Sequence, residues 1–288
     1  MKVTNVALGL LVVVCSVVHA EDWLQFRGPG RKNVTEESVH ADQWPEDGPP
    51  LLWSAPVGRG NGTVVVKGER GYILGGLPME GEDDSRRKGR EVLSCVDLRT
   101  GEIAWQQEVH PEYSVQHSSP HTTPSISGDR VYLHSNRGQV VCYSAENGEQ
   151  LWRRDPTEDL TTGVKKYGVT NSPLVRDGRV YTIAVGRDPE SEKKMPIRGK
   201  GVGVYAFDAE TGEDVWQRRF DIPGQTPHST AVWGVVDGRE TVVCHLSEAV
   251  FGLDPRTGET LWELNYIETF FPEGKRGRVY SSESWPLV

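Results

Sequence analysis

The feature that most constrains the fold is an eleven-residue string that occurs four times along the chain. The copies are CVDLRTGEIAW, CYSAENGEQLW, AFDAETGEDVW and GLDPRTGETLW, which end at Trp105, Trp152, Trp216 and Trp262. Their glycines fall at positions 101, 148, 212 and 258, so the spacings are 47, 64 and 46 residues. A recurring period in this range indicates one supersecondary unit that is repeated, with the insertions confined to loops.

Each copy of the string predicts a strand, a tight turn and a second strand. The Asp, which is Ser144 in the second copy, can hydrogen-bond to its own turn, and the Gly accepts the positive φ of a short hairpin. Two more β-branched runs, joined by a Gly-containing turn, precede each copy, as in PSISGDRVYLHS and PLVRDGRVYTIA. The unit is therefore four antiparallel strands, A to D, and such units arrayed radially form a β-propeller.

In such a propeller the repeated string has a structural docking role. The Trp of each blade is expected to wedge against the neighbouring blade, while the Asp and the Gly shape the turn between strands C and D. The docking residues are Asp97, Gly101, Trp105, Gly148, Trp152, Asp208, Gly212, Trp216, Asp254, Gly258 and Trp262.

The string A-x-D-x-x-T-G-E-x-x-W resembles the tryptophan-docking motif of pyrroloquinoline-quinone-like (PQQ-like), BamB-like β-propeller repeat proteins, over roughly residues 51–288. The stretch WLQFRGPGR from Trp23 is similar to the N-terminal signature of exported members of this family. The resemblance implies an all-β propeller, usually with eight blades. It implies two kinds of activity, because the family includes quinoprotein dehydrogenases and non-catalytic scaffolds such as BamB-like outer-membrane assembly factors.

The repeats predict where the propeller begins and how its blades divide the chain. PPLLWSAPV supplies a D strand at 51–57 that carries Trp53 and completes the last blade, and SWPLV at 284–288 matches NSPLV at 171–175, so it starts a fifth blade. We therefore expect an incomplete, about four-bladed part of an eight-bladed ring. The propeller spans 51–288, and its four full blades are expected near 63–109, 123–155, 171–220 and 230–265.

The first twenty residues have the pattern of a secretory signal peptide. Lys2 precedes an apolar run, and small residues stand before a cleavage site at Ala20. The run is shorter than the roughly 20 residues of a membrane-spanning helix, and a lipid anchor on Cys15 is disfavoured because Val14 before it is not small. We expect a signal peptide at 1–20, an N-terminal extension at 21–50, no transmembrane segment, and a periplasmic or secreted protein.

Charge and cysteine content exclude two classes of function. The net charge is -9, with no basic stretch of domain size, which argues against nucleic acid as a partner. Beyond the signal peptide the cysteines are Cys95, Cys142 and Cys244, which occur singly, without a CxxC pair or histidines at zinc-site spacing. We expect buried free thiols and no metal site.

The candidate binding residues lie on one face of the predicted propeller. D-to-A connections and B–C loops emerge together on this loop face, which includes insertions at 79–91 and 186–201, whereas A–B and C–D turns form the opposite turn face. Equivalent positions just before each A strand are expected to ring the mouth of the central channel. They are occupied by Asn61, His121, Thr170, His228 and Glu283. Such a ring could bind an anion, a metal or a partner's side chain, or it could simply be a set of hydrogen-bonded blade starts.

Two functions of different classes follow from the resemblance. The first is a non-catalytic exported scaffold that binds a protein or glycan partner in the cell envelope through its loop face. The alternative is a PQQ-dependent dehydrogenase, in which the resemblance implies a quinone across the channel, a calcium ion and an Asp base. Alcohol-oxidising members also carry two adjacent cysteines, which this chain lacks. Neither calcium ligands nor a base match family positions here, so we assign no catalytic residue and expect no cofactor.

Overall fold

The computed structural model describes residues 21–37, 44–79, 81, 88–114, 120–156, 169–185, 200–223, 228–246, 249–266 and 269. The predicted signal peptide, Glu283 and the start of a fifth blade at 284–288 lie outside the described residues, as does most of both predicted B–C insertions. The described residues form sixteen strands and one short 3-10 helix, at Pro29–Arg31.

The strands form four sheets, each of four strands in chain order. Their bounds in blade 1 are β1 Val65–Lys67, β2 Arg70–Leu77, β3 Lys88–Asp97 and β4 Ile103–Ser114, and in blade 2 they are β5 Ser125–Ser127, β6 Arg130–His134, β7 Val140–Ser144 and β8 Gln150–Arg154. In blade 3 they are β9 Leu174–Arg176, β10 Arg179–Val185, β11 Lys200–Asp208 and β12 Asp214–Pro223, and in blade 4 they are β13 Val232–Val236, β14 Arg239–His245, β15 Ala249–Leu253 and β16 Thr260–Asn265.

Every strand pairs antiparallel with the next strand in the chain, which is the topology of propeller blades. The prediction of an all-β protein with four-stranded antiparallel blades is confirmed. Two outer strands run further than expected, to Ser114 and Pro223, because their C-strand partners keep pairing with them across register shifts. For the same reason the predicted insertions at 79–91 and 186–201 are too long at their C-terminal ends, since Lys88 and Lys200 already begin strands.

Each C–D turn is held by its own side chains. In blade 1 the Asp97 Oδ1 atom accepts the backbone N–H groups of Arg99 and Thr100 at 3.0 and 3.3 Å, and these bonds hold the pKa of Asp97 below its usual value. Gly101 follows with a φ of 76°, a conformation that side chains disfavour. In blade 2, where Ser144 replaces the Asp, the Asn147 Oδ1 atom accepts the N–H of Glu149 at 2.9 Å.

The repeated tryptophans join consecutive blades. The Trp152 indole lies against Gly212 of blade 3, where an added Cβ would come within 2.6 Å of the ring, so only glycine fits. Its Nε1–H donates to the Ala209 carbonyl at 3.1 Å, and the Tyr132 hydroxyl donates to the same oxygen at 3.1 Å. The same glycine contact and indole-to-carbonyl bond recur in three other pairs, which are Trp53 with Gly101, Trp105 with Gly148, and Trp216 with Gly258.

The two outermost members of this series differ from the rest. Trp53 docks on blade 1 as a D-strand tryptophan would, but residues 51–57 form no strand among the described residues, because no described C strand lies beside them to pair with. Trp262 of blade 4 has a buried Nε1–H without an acceptor in the described part of the chain.

Apolar side chains of neighbouring blades fill the space between the sheets. One such cluster joins Tyr132 and Val140 of blade 2 to Val180 and Tyr205 of blade 3. The prediction of buried free thiols is confirmed at Cys95, Cys142 and Cys244. The described ranges contain no helix with the length and hydropathy of a membrane span.

Candidate functional site

The residues predicted to ring the channel mouth come together in two pairs. The Asn61 Nδ2 atom lies 3.1 Å from the His121 Nδ1 atom, and the Thr170 Oγ1 atom lies 2.8 Å from the His228 Nδ1 atom. Asn61 is exposed, while the other three side chains are half-buried. The fifth predicted member, Glu283, lies outside the described residues.

The environment of His121 lowers the pKa of its imidazole. Burial and then the nearby His228 lower the pKa of His121 below its ordinary value. His121 is therefore neutral at pH 7, and its ring can both donate and accept a hydrogen bond. The four described members of the predicted ring thus present amide, hydroxyl and imidazole groups, which suit hydrogen bonding to a polar partner.

A ladder of hydroxyl groups, which the sequence analysis did not identify, lies just beneath this ring. The backbone N–H of Thr63 donates to Thr123 Oγ1 at 2.9 Å, that of Thr123 to Ser172 Oγ at 2.8 Å, and that of Ser172 to Thr230 Oγ1 at 2.8 Å. Each bond crosses from one blade start to the next. The signal in the sequence is a Ser or Thr two positions after Asn61, His121, Thr170 and His228.

A second set of side chains ties the starts of blades 2, 3 and 4 to the B strand of the same blade. Thr122 Oγ1 donates to the His134 carbonyl at 2.6 Å, and Ser229 Oγ donates to the His245 carbonyl at 2.6 Å. Asn171 Nδ2 donates to the Ile183 carbonyl at 2.9 Å. With the hydroxyl ladder, these bonds fix the backbone on which His121, Thr170 and His228 stand, so the ring is preorganised.

The N-terminal extension lies against the inner strands. Trp23 and Val66 exchange both backbone hydrogen bonds, at 2.8 and 2.9 Å, and the Leu24 carbonyl accepts the N–H of Ile126 in blade 2 at 2.7 Å. Arg31 then reaches blade 4, where its Nη1 donates to the Ala231 carbonyl at 2.9 Å. Burial, and then the charge of Arg27, lower the pKa of Arg31 to about 10. The extension therefore contacts blades 1, 2 and 4 at their innermost strands and brings positive charge there.

The described residues do not provide a set of metal ligands. No group of three His, Cys, Asp or Glu side chains that could hold a metal ion occurs among the described residues. Two cavities of about 500 and 340 Å³ lie away from the ring. The larger is lined by Trp233 and by turn residues of blades 3 and 4 such as Asp177 and Arg256, and the smaller by Tyr205 and Asp155 at the outer side of blades 2 and 3.

Comparison with known proteins gives one family match. The model of the family described as outer membrane protein assembly factor BamB matches residues 89–271. The BamB protein of Bordetella pertussis is 24% identical over 218 residues, which cover 70% of this chain and 54% of that protein. A quinohemoprotein alcohol dehydrogenase of Pseudomonas putida is 26% identical over 136 residues, which cover 45% of this chain and 17% of the enzyme.

The matching solved structures have lower sequence identity to this chain than the two proteins above. A quinohemoprotein alcohol dehydrogenase from Pseudomonas putida matches with a TM-score of 0.47 and 19% identity, over 70% of this chain and 34% of that one. BamB from Moraxella catarrhalis matches with a TM-score of 0.29 and 17% identity, over 63% of this chain and 62% of that one. The chain spans about half the length of the BamB relative from Bordetella pertussis.

Proposed function

Because this chain belongs to the family of the outer membrane protein assembly factor BamB, we propose that it is a non-catalytic scaffold of the cell envelope. Its loop face binds a protein component of outer-membrane assembly. The family match over residues 89–271 carries this proposal, since it includes most of the strands of the four blades. A protein partner is favoured over a glycan because the family is described by its part in protein assembly.

The loop face is the better candidate for binding because the turn face is committed to structure. On the turn face, the Asp208 carboxylate accepts the N–H groups of Glu210 and Thr211, and Gly212 is covered by Trp152. On the loop face, by contrast, the polar ends of His121 and His228 stand on a backbone held by bonds deeper in the blades. A partner's polar groups would therefore meet a rigid surface, which lowers the entropic cost of binding.

Replacing both histidines tests the proposal. The His121→Ala, His228→Ala double variant loses the hydrogen bonds to Asn61 and Thr170, each with a net worth of about 1 kcal/mol, and we expect it to fold. Its affinity for the outer-membrane assembly protein that co-purifies with the wild type should fall about tenfold or more, since about 1.4 kcal/mol is a factor of ten.

The matched control is the double variant Glu102→Ala, Glu149→Ala, which changes two exposed residues of the turn face. Its affinity should equal that of the wild type. Unchanged binding by the histidine variant, together with weakened binding by the turn-face variant, would assign binding to the turn face and contradict the proposal. Circular dichroism and urea unfolding of each variant establish that the fold is retained.

A further inference from the structure

A buried carboxyl group lies at the seam between blades 1 and 2. Glu91 stands in β3 between two register shifts of the β3–β4 ladder, and such bulges re-aim a side chain. The side chain is fully buried. Its Oε1 atom accepts the backbone N–H of Asn136 in blade 2 at 2.9 Å, whereas its Oε2 atom has no hydrogen-bond partner in the described part of the chain.

Blade 2 brings further unpartnered polar atoms to this seam. Asn136 is 1% exposed, and neither its Nδ2 nor its Oδ1 atom has a partner among the described residues. Tyr143 is 2% exposed and lies within electrostatic reach of both Arg153 and Glu91, and no partner meets its hydroxyl with hydrogen-bond geometry in the described ranges. Buried polar groups in native proteins normally have partners, so a cluster of such atoms requires an explanation.

The charged groups around Glu91 do not neutralise it by contact. Arg153 donates to the Gln139 side chain, to the Val109 carbonyl and to the Gln150 side chain, at 3.0, 2.7 and 3.2 Å. Arg137 of the B–C turn donates to the Glu112 carbonyl at 3.4 Å.

Neighbouring titratable groups complete this environment. His110 stands opposite Glu91 on β4, beyond it lies Glu108, and His134 precedes Asn136 by two residues. Burial raises the pKa of Glu91 to about 8, and the Asn136 N–H and the two arginines only partly oppose this.

We infer that Glu91 is a proton-uptake site that binds blade 1 to blade 2 in its protonated form. Protonation turns one carboxyl oxygen into a donor, for which the unpartnered Oδ1 atom of Asn136 is a suitable acceptor, while the other carboxyl oxygen still accepts the Asn136 N–H. It also removes a buried charge that no cation contacts within the described residues. Loss of the proton leaves this buried charge uncompensated and weakens the seam.

A chain of hydrogen bonds and one peptide link connects Glu91 to the loop face. The carbonyl of Asn136 accepts the N–H of Val169 at 3.1 Å. The next residue, Thr170, bonds to His228 at the channel mouth. The binding role of that face rests on the proposed function, whereas the titration of Glu91 does not depend on it.

The direction of the pH effect follows from the raised pKa. A carboxyl group that ionises less readily in the folded state stabilises the fold fully below its ordinary value of 4.5, and this contribution is lost as the pH rises towards about 8. Stability of the seam should therefore fall across this interval.

Nuclear magnetic resonance of the full chain tests both parts of the inference. The Glu91 side-chain carboxyl signal, assigned in the wild type by through-bond correlation to the Glu91 backbone, should titrate with a pKa of about 8. Titration at the ordinary glutamate value would overturn proton uptake, and this measurement is made on the wild type, whether or not the variant folds.

Hydrogen exchange at the Asn136 and Val169 amides tests the coupling, with wild type and Glu91→Gln compared at equal pH. The ratio of their exchange rates should be near one at pH 5 and about tenfold or more at pH 9, since each pH unit above a pKa is worth a factor of ten. Glu149→Gln, which changes an exposed glutamate of the blade 2 turn, is the control and should match the wild type at both pH values. A ratio near one at pH 9 would refute coupling of Glu91 to the seam.

Discussion

Replacing Trp152 with alanine should strongly destabilise the protein, because this ring joins blades 2 and 3. Trp152 is 7% exposed, covers Gly212, donates to the Ala209 carbonyl and lies 5.9 Å from the Tyr132 ring. Truncation of a packed aromatic side chain to alanine costs about 3–5 kcal/mol. The Ala209 carbonyl keeps the Tyr132 hydroxyl as a donor, so no acceptor is orphaned and the cost should stay within that range.

Trp262→Ala is the matched comparison, because Trp262 has the same place in blade 4. Its Nε1–H has no acceptor in the described ranges, and Val243 stands at the register position that Tyr132 holds in blade 2. Compared with Trp152, Trp262 therefore lacks a hydrogen bond with a net worth of about 1 kcal/mol and an aromatic pair worth about 1 kcal/mol. We expect Trp262→Ala to cost about 2 kcal/mol less than Trp152→Ala.

Equilibrium urea unfolding of the two variants and the wild type measures this difference. The midpoint should fall further for Trp152→Ala, with unchanged slopes showing that the exposed area is the same. Equal losses for the two variants would contradict this expectation, since docking on the next blade would then add nothing measurable to the free energy of unfolding.

Two further predictions concern the hydroxyl ladder and quinone-dependent oxidation. Ser172→Ala should lower the unfolding free energy by about 1–3 kcal/mol, because it leaves the buried N–H of Thr123 without an acceptor, whereas Ser127→Ala at the exposed end of β5 should change it by less than about 0.5 kcal/mol. Equal effects in urea unfolding would contradict a structural ladder. Purified protein reconstituted with PQQ and calcium should show no dye-linked oxidation of alcohols or sugars, and turnover above that of a heat-denatured sample would overturn the proposal of a non-catalytic scaffold.

Local patterns made the blades predictable from the sequence. The side chains that shape each C–D turn act within a few residues. Asp97, for example, accepts the N–H groups of Arg99 and Thr100, so the turn can be recognised from the repeated string alone. The order of the sheets follows directly, because each strand pairs with its neighbour in the chain.

Features that depend on contacts between blades were not predictable in the same way. Thr123 and Ser172 are 49 residues apart, and nothing in their local sequence shows that one accepts the amide of the other. The sequence predicts a loop at Glu91, because this residue ends a charged stretch, yet packing against blade 2 buries it in a strand. The motif beginning at Trp23 indicated a family, but its attachment to three blades depends on the folded channel.

The candidate ring was predictable only in part. Alignment of the blade starts placed His121 and His228 at equivalent positions, and the structure puts them within electrostatic reach of each other. The pairing of Asn61 with His121 and of Thr170 with His228 depends on side-chain geometry that the alignment does not contain.

Site-specific photocrosslinking in cells is the most direct test of whether the loop face binds a protein partner. A photoreactive amino acid placed at Thr170 on the loop face, or at Glu149 on the turn face, reports which surface meets a partner. If the loop face binds the partner, we expect crosslinks from position 170 to a protein of outer-membrane assembly and none from position 149. Crosslinks to such a protein from position 149 alone, with a folded variant silent at position 170, would contradict it.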